Sequence, residues 1–389
     1  MIYDILIVGG GPAGLAFARA LDGAGLRIAL IERQPADLLA APPVDGREIA
    51  LTHRSVATLT RLGAWAQLRP EDVSPLRKAQ VLNGASRFSF AFDTAGTGED
   101  RLGQLVPNHR IRQALFRAID GQPGLDLITG TGVAYVGTDR AGSRVTLADG
   151  RVLDARLLVA ADSRFSAVRE QLGIAAEVNR LGRSMMVCRV PHEGDHQGIA
   201  TEWFDHGQTI AMLPLAHRQS SAVLTLASGQ IERLASLDSG ALGAEITRRY
   251  DARLGRMWVV EGPHVYPLAT TYARHFAATR AALIGDAAVG MHPVTAHGFN
   301  LGLQGAATLA ELIKDAAVRG DDIASSLLLR RFEAVHRLAS RPIYAGTHLL
   351  VGLYTDERPA ARIARRATLR AGARLPMVRQ TISRLLMQH

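Results

Sequence analysis

Residues 9–14, Gly-Gly-Gly-Pro-Ala-Gly, have the spacing G-x-G-x-x-G. Glycines so spaced bring backbone N–H groups against a pyrophosphate. Gly9 permits a tight turn, Gly11 removes the Cβ that would stand between backbone and phosphate, and Gly14 lets the following helix pack closely. Glu32 stands 18 residues after Gly14. A carboxylate there accepts hydrogen bonds from a ribose diol and disfavours a 2′-phosphate. Gly9, Gly11, Pro12, Ala13 and Gly14, with Glu32 and its neighbour Arg33, are the candidate residues for the ADP half of a dinucleotide.

A second segment, 280–304, selects the dinucleotide. Residues 281–284 read as a strand. Gly285-Asp286 ends it, and the short acid Asp286 suits a ribityl hydroxyl. Pro293 lies in the loop that follows, and Gly298-Phe299-Asn300 opens a helix. A helix N-terminus aimed at a flavin pyrimidine stabilises the negative charge that builds up on reduction. A plain NAD dehydrogenase has no use for such a second site about 270 residues downstream, so the pair of segments predicts FAD.

The elements that must position these residues are also legible. Residues 4–9 (DILIVG) and 26–31 (LRIALI) are short apolar runs typical of buried parallel strands, and residues 15–24 between them have helical composition. Further strands are expected at 80–92, 184–190, 199–204, 208–215, 219–227 and 258–266, with helix over 230–253. Pro214 and Pro267 read as strand ends, since proline is awkward inside a ladder. The pattern predicts an α/β protein with a Rossmann-type FAD-binding domain (1–70, 101–175 and 271–330). A β-sheet substrate domain (71–100 and 176–270) is inserted into it, and the C-terminus (331–389) is helical.

On these motifs the chain resembles the single-component, FAD-dependent aromatic hydroxylases of the para-hydroxybenzoate hydroxylase fold. Within that group it is most similar to the ubiquinone-biosynthesis hydroxylases, over roughly residues 1–345. The matching motifs are the glycine fingerprint with Glu32, the segment from Gly285-Asp286 through Pro293 to Gly302, and the middle segment 157–169. In the middle segment Asp162-Ser163 replaces the family's Asp-Gly, in a stretch that serves both FAD and NAD(P)H. Asp45-Gly46-Arg47-Glu48-Ile49-Ala50-Leu51 resembles the family's D-x-R-x-x-A-L, whose arginine lies near the flavin. Val106-Pro107-Asn108 resembles its V-x-N. The resemblance adds Arg47, Asn108 and Asp162 to the cofactor residues Asp286, Gly298, Phe299 and Asn300. It makes Pro293, His297 and Arg47 the candidate catalytic positions, with Pro293 lining the oxygen site. Ala296-His297 stands where the family usually has Gly-Gln, and Gln304-Gly305 where an aspartate is common. His297 either alters the flavin or substrate environment or is a tolerated polar replacement.

The resemblance implies that NADH or NADPH reduces the flavin, that O2 is consumed, and that a small aromatic substrate, a polyprenylated ubiquinone precursor, is hydroxylated. Two alternatives stay open: an FAD-dependent reductase or dehydrogenase of the same fold, and a non-catalytic flavin-binding member of a quinone-biosynthesis complex.

Composition sets bounds. A chain of 389 residues with 47% hydrophobic content has ample material for more than one core. The single cysteine, Cys188, permits no internal disulfide or thiolate cluster and reads as a small buried hydrophobe in a reducing cytoplasm. Triad, P-loop, metal-ligand spacing and nucleic-acid motif are all missing, so neither metal nor nucleic acid is expected. No apolar run of about 18 residues predicts a membrane span. The net charge is +9, and only Lys78 and Lys314 among the 45 basic residues are lysines. Residues 358–389 hold eight arginines and no acid. They fit either a basic amphipathic helix on an anionic membrane or a solvated helix packed on its own domain. The expected location is the cytoplasm, and in the first of these two cases its periphery, on the inner face of the membrane.

Overall fold

In the computed structural model, which describes residues 2–84, 89–95, 98–205, 207–293 and 297–355, the apolar N-terminal run becomes the strand Ile2–Val8. Ile5, Leu6 and Ile7 are fully buried, as a strand apolar on both faces requires. The strand runs parallel to Ile28–Glu32 on one side, with Ile5 opposite Ile28, and to Val152–Ala160 on the other, with Ile5 opposite Leu157. Leu125–Thr129 and Ala281–Leu283 extend the sheet to the order 281–283, 152–160, 2–8, 28–32, 125–129. The order reverses between the first strand and Val152–Ala160. At such a reversal the connections leave toward opposite faces and open a crevice at the carboxyl ends of the strands. Val8, Glu32, Ala160 and Leu283 all end at that crevice.

The helix Pro12–Ala20 follows the fingerprint, with Pro12 at a first-turn position where its missing N–H costs nothing. Its buried face, Leu15 to Ala18, belongs to the main core. The helix Gly298–Arg319 packs against it and stops at Gly320, whose φ of +73° ends the run. Ser326–Thr355 is the last described helix.

The second sheet has the order 289–290, 261–273, 176–191, 219–227, 208–214, 199–205, 78–83, 89–92 and is largely antiparallel. Helices Ser228–Ala235 and Ser239–Arg249 cover one face, over Met186, Cys188, Trp203, Ile210, Met212 and Leu224. The single helix expected over 230–253 is two, because Asp238 caps the second by accepting from the Ala241 amide. Pro267 does not end a strand. It lies inside Glu261–Ala273, opposite Ser184, where the register slips between Arg180 and Ser184 and the missing N–H is tolerated. The strand seen in the sequence as 184–190 runs from Ala176 to Pro191; its first half is largely solvent-facing and lacks the apolar signal. The hairpin Val133–Thr138 and Ser143–Leu147 was not anticipated. Residues 85–88, 294–296 and the basic segment 358–389 lie outside the described residues.

A three-stranded sheet joins the two larger ones: Glu48–Leu51, Gly103–Pro107 and Ser74–Leu76. Glu48 stands opposite Pro107, and the Asn108 amide donates to the Arg47 carbonyl at 2.9 Å. The two short motifs carrying Arg47 and Asn108 are thus strand neighbours.

His336 on the last helix is 2% exposed, stacked on Phe332 and packed against Phe276. Burial pushes its imidazole down to about 4. The unfolded chain takes up a proton near pH 6.5 that the folded chain refuses until pH 4, so stability present above pH 6.5 is lost as pH falls toward 4. Between pH 7 and 5 the loss is about 2 kcal/mol. His336→Leu is expected to shrink the drop in urea midpoint between these pH values; a drop equal to that of the parent chain refutes the assignment.

Candidate active site

The crevice at the strand ends opens into a cavity of about 910 Å³ that continues to the uncovered face of the second sheet. At its nucleotide end, Gly9 takes φ +114°, and a Cβ there would strike the backbone of Ala161 and Asp162. A Cβ on Gly14 would collide with the Gly9 carbonyl, so this glycine serves the contact of helix and strand and does not line the cavity. Gly11 caps the helix with open space above it. Glu32 reaches back to accept from the Gly10 amide at 2.6 Å and the Gln34 amide at 2.9 Å. Arg33 lies exposed at the rim.

Arg112, one helical turn beyond Asn108 on Asn108–Ala118, donates to the Gln34 side chain at 3.0 Å and lines the same end. The sequence reading missed it. The signal was the i, i+4 spacing from Asn108, which puts both side chains on one helix face.

The middle of the cavity is built around Asp45. Its carboxylate accepts from Arg47 at 2.7 Å and from the Asn108 amide group at 2.7 Å, and its carbonyl accepts from the Tyr266 hydroxyl at 2.7 Å. Burial alone would raise the Asp45 carboxyl. Arg47, by charge and hydrogen bond, and Asn108 outweigh it and hold the group below its ordinary value. The Arg47 guanidinium also lies over the Tyr266 ring, 5.3 Å from its centre. Glu48, beside it, is pushed up to about 7 by burial, partly offset by its ion pair with Arg189 at 2.9 Å.

The third wall joins the middle motif to the Gly285-Asp286 turn. Asp286 pairs with Arg164 at 3.0 Å, and Arg164 also donates to the Ala269 carbonyl at 3.0 Å. Arg169, 2% exposed, donates to the carbonyls of Arg164 and Ala287, both at 3.1 Å. The sequence contained this residue but gave no sign that it clamps the two motifs together. Asp162 lines the cavity with a buried Oδ1 that has no partner among the described residues.

Met291, His292 and Pro293 lead to the start of Gly298–Arg319, where Gly298 and Phe299 line the cavity. Burial, reinforced by His348, Arg183 and Arg164, holds the His292 imidazole down at about 4. Thirteen of the sequence-predicted residues meet in this cavity: Gly9, Gly11, Pro12, Ala13, Glu32, Arg33, Arg47, Asn108, Asp162, Asp286, Pro293, Gly298 and Phe299. Gly14, His297 and Asn300 do not line it. Helical periodicity turns Gly298, Phe299, Gly302 and Leu303 toward the cavity and Asn300 elsewhere. Asn300 accepts from the Thr52 amide at 3.2 Å and donates to the Ala50 carbonyl at 2.9 Å, tying the helix to the strand beside Arg47. His297 is buried, and its carbonyl accepts the first bond of the helix, from Leu301.

Comparison with known proteins places this geometry. A model described as the FAD binding domain matches residues 2–339. The ubiquinone hydroxylase UbiM of Neisseria meningitidis is 44% identical over 387 residues, covering 98% of this chain and 84% of that protein. The chain belongs to the FAD-dependent ubiquinone hydroxylases. The ubiquinone hydroxylase UbiL of Rhodospirillum rubrum is 33% identical over 388 residues, covering 100% of this chain and 89% of that protein. The p-nitrophenol 4-monooxygenase of Pseudomonas putida shares the fold, with a TM-score of 0.77 at 18% identity, over 99% of this chain and 97% of that one. This ubiquinone hydroxylase is an FAD-dependent monooxygenase.

The residues present fit FAD. Two helix N-termini, at Gly11 and Gly298, face one cavity, and neither has a side-chain cap or an acid in its first turn. Both therefore offer N–H groups and positive potential to an anionic or electron-rich ligand. The buried Asp162 oxygen adds an acceptor for a hydroxyl or amide of that ligand.

Proposed function

We propose that the chain hydroxylates the phenolic ring of a polyprenylated ubiquinone precursor, using NAD(P)H and O2. One observation carries this reading: the cavity lined by the glycine fingerprint is lined also by Arg47, by Pro293 and by a largely apolar sheet wall that includes Met185, Val187, Phe204, Leu213 and Val223. Bound FAD would supply the redox chemistry, hydride acceptance from the nicotinamide and transfer of one oxygen atom of O2 to the ring, the other oxygen leaving as water. The chain's own residues bind, orient and exclude water. In this reading Gly9 to Ala13 hold the pyrophosphate, Glu32 the ribose and Asp286 a ribityl hydroxyl. The helix start at Gly298 faces the flavin pyrimidine, and Arg47 and Pro293 flank the reacting ring. Asn300 acts by fixing the strand beside Arg47.

Mass spectrometry of reactions run under ¹⁸O2 tests the proposal. One labelled oxygen in a ring-hydroxylated prenylphenol is the expected product; NAD(P)H-dependent saturation of the substrate without label overturns it in favour of a reductase.

Contact with a membrane is part of the same proposal, since a polyprenylated substrate is drawn from lipid. Among the described residues no helix is long and apolar enough to cross a membrane. The helix Ser326–Thr355 exposes Leu327, Leu338 and Leu349, spaced by 11 residues, with Arg330, Arg331 and Arg341 also exposed. The arginine-rich segment 358–389 follows. Apolar residues among arginines suit anionic headgroups. Retention on anionic but not neutral vesicles checks this; equal retention on both, or none, counts against it.

A further inference from the structure

The second sheet contributes one carboxyl to the cavity wall, Glu202, which nothing above uses. The strand Ile199–Asp205 alternates: Thr201 and Trp203 are buried on the helix-covered side, while Glu202 and Phe204 turn into the cavity. Glu202 stands opposite Ala211 on one neighbouring strand and Val81 on the other. Ala211 is small and lines the cavity too, which leaves room in front of the carboxyl.

The other cavity acids have occupations. Glu32 binds two backbone amides, Glu48 pairs with Arg189 and Asp286 pairs with Arg164, while Asp162, whose Oδ1 has no partner among the described residues, lies beside the Gly9 turn at the far end of the cavity, where it is assigned to the cofactor. Among the described residues Glu202 has no hydrogen-bond or ion-pair partner, and burial alone acts on it. It is pushed up to about 8, so at neutral pH the group keeps its proton and both donates and accepts. Glu202 is half-buried in the cavity wall, so a ligand that displaces solvent there must complete the hydrogen bonds of the carboxyl or leave it unsatisfied.

We propose that Glu202 binds the ring hydroxyl of the substrate and thereby orients the ring within the cavity. This rests on the phenol-hydroxylase reading and names the contact on the substrate side. The carboxyl carbonyl oxygen accepts the phenolic O–H. Met185, Val187 and Val223, on adjacent strands of the same wall, hold the apolar remainder.

The test is a titration of the FAD-loaded enzyme with a short-chain 2-prenylphenol and with its O-methyl ether, followed by the change in flavin absorbance. The parent enzyme is expected to prefer the phenol about tenfold, the value of one buried hydrogen bond. Glu202→Ala should reduce the preference to about twofold by weakening the phenol alone, with FAD content and affinity for the ether unchanged. Glu202→Gln should keep most of the preference, because its amide oxygen still accepts. In turnover, Glu202→Ala should oxidise more NAD(P)H per product formed. A tenfold preference surviving in Glu202→Ala overturns the assignment, as does equal loss of both ligands. An intact preference in a parent enzyme that yields no hydroxylated product overturns the hydroxylase reading and leaves this contact standing.

Discussion

Gly11→Val is expected to stay stable and to lose its cofactor, whereas Gly14→Val is expected to lose much of the stability of the fold itself. The two glycines lie three residues apart in one motif, yet the space around them differs. Gly11 has φ −74° and ψ 178°, which any residue adopts, and a Cβ there meets nothing within 4 Å. Valine fits the backbone and costs about 1 kcal/mol or less as a poorer helix cap. Its methyl groups would stand above the first helical N–H groups, at the proposed pyrophosphate site. FAD affinity should fall by over about a hundredfold, or roughly 3 kcal/mol. Gly14 has the Gly9 carbonyl directly against the position of a Cβ, with the Ala161 side chain 3.3 Å away. Valine there forces the first helix off the central strand, at roughly 3 kcal/mol or more. Urea denaturation of the FAD-free proteins and FAD titration separate the two outcomes. A Gly11→Val protein that keeps its FAD would move the pyrophosphate off this helix.

The second large effect is expected at Arg169. Its guanidinium bridges the carbonyls of Arg164 and Ala287 from a buried position. Arg169→Met keeps much of the volume and removes the donors, leaving two carbonyls short of a bond at about 1–3 kcal/mol each. Stability should fall by roughly 3 kcal/mol, and FAD should dissociate more readily. The bridge sets the spacing between the Asp162 loop and the Asp286 turn, both of which line the cavity. A change in urea midpoint with no change in FAD dissociation would show that the bridge serves the fold alone.

How much of this was readable in advance depends on the sequence distance over which each feature is built. The fingerprint, its strand and its helix form one local unit, and residues 4–31 carry the whole signal. Arg47 and Asn108 were legible only as family motifs; that they are neighbours follows from strands pairing across roughly 55 residues, which periodicity does not report. Arg169 and Asn300 look like ordinary helix-start residues, and only the folded chain shows which carbonyls and amides they satisfy. Glu202 was hidden for a related reason. A polar residue at an alternate strand position reads as solvent-facing, and here the opposite face looks onto a cavity. Pro267 misled because a proline is admitted where a ladder slips, and the slip belongs to the partner strand.

The interleaving of the sheets has a consequence for biosynthesis. The central strand Ile2–Val8 is made about 150 residues before one of its partners, Val152–Ala160. The cavity also needs Gly298 and Phe299. A nascent chain that has not reached Gly298 and Phe299 cannot enclose the cofactor crevice. With so many long-range pairings, folding is slow and the early strands wait with apolar surface exposed. Cofactor loading therefore waits until the wall at Gly298 and Phe299 has been made, and a shortage of FAD should be felt as loss of newly made protein before it is felt as loss of activity in the old.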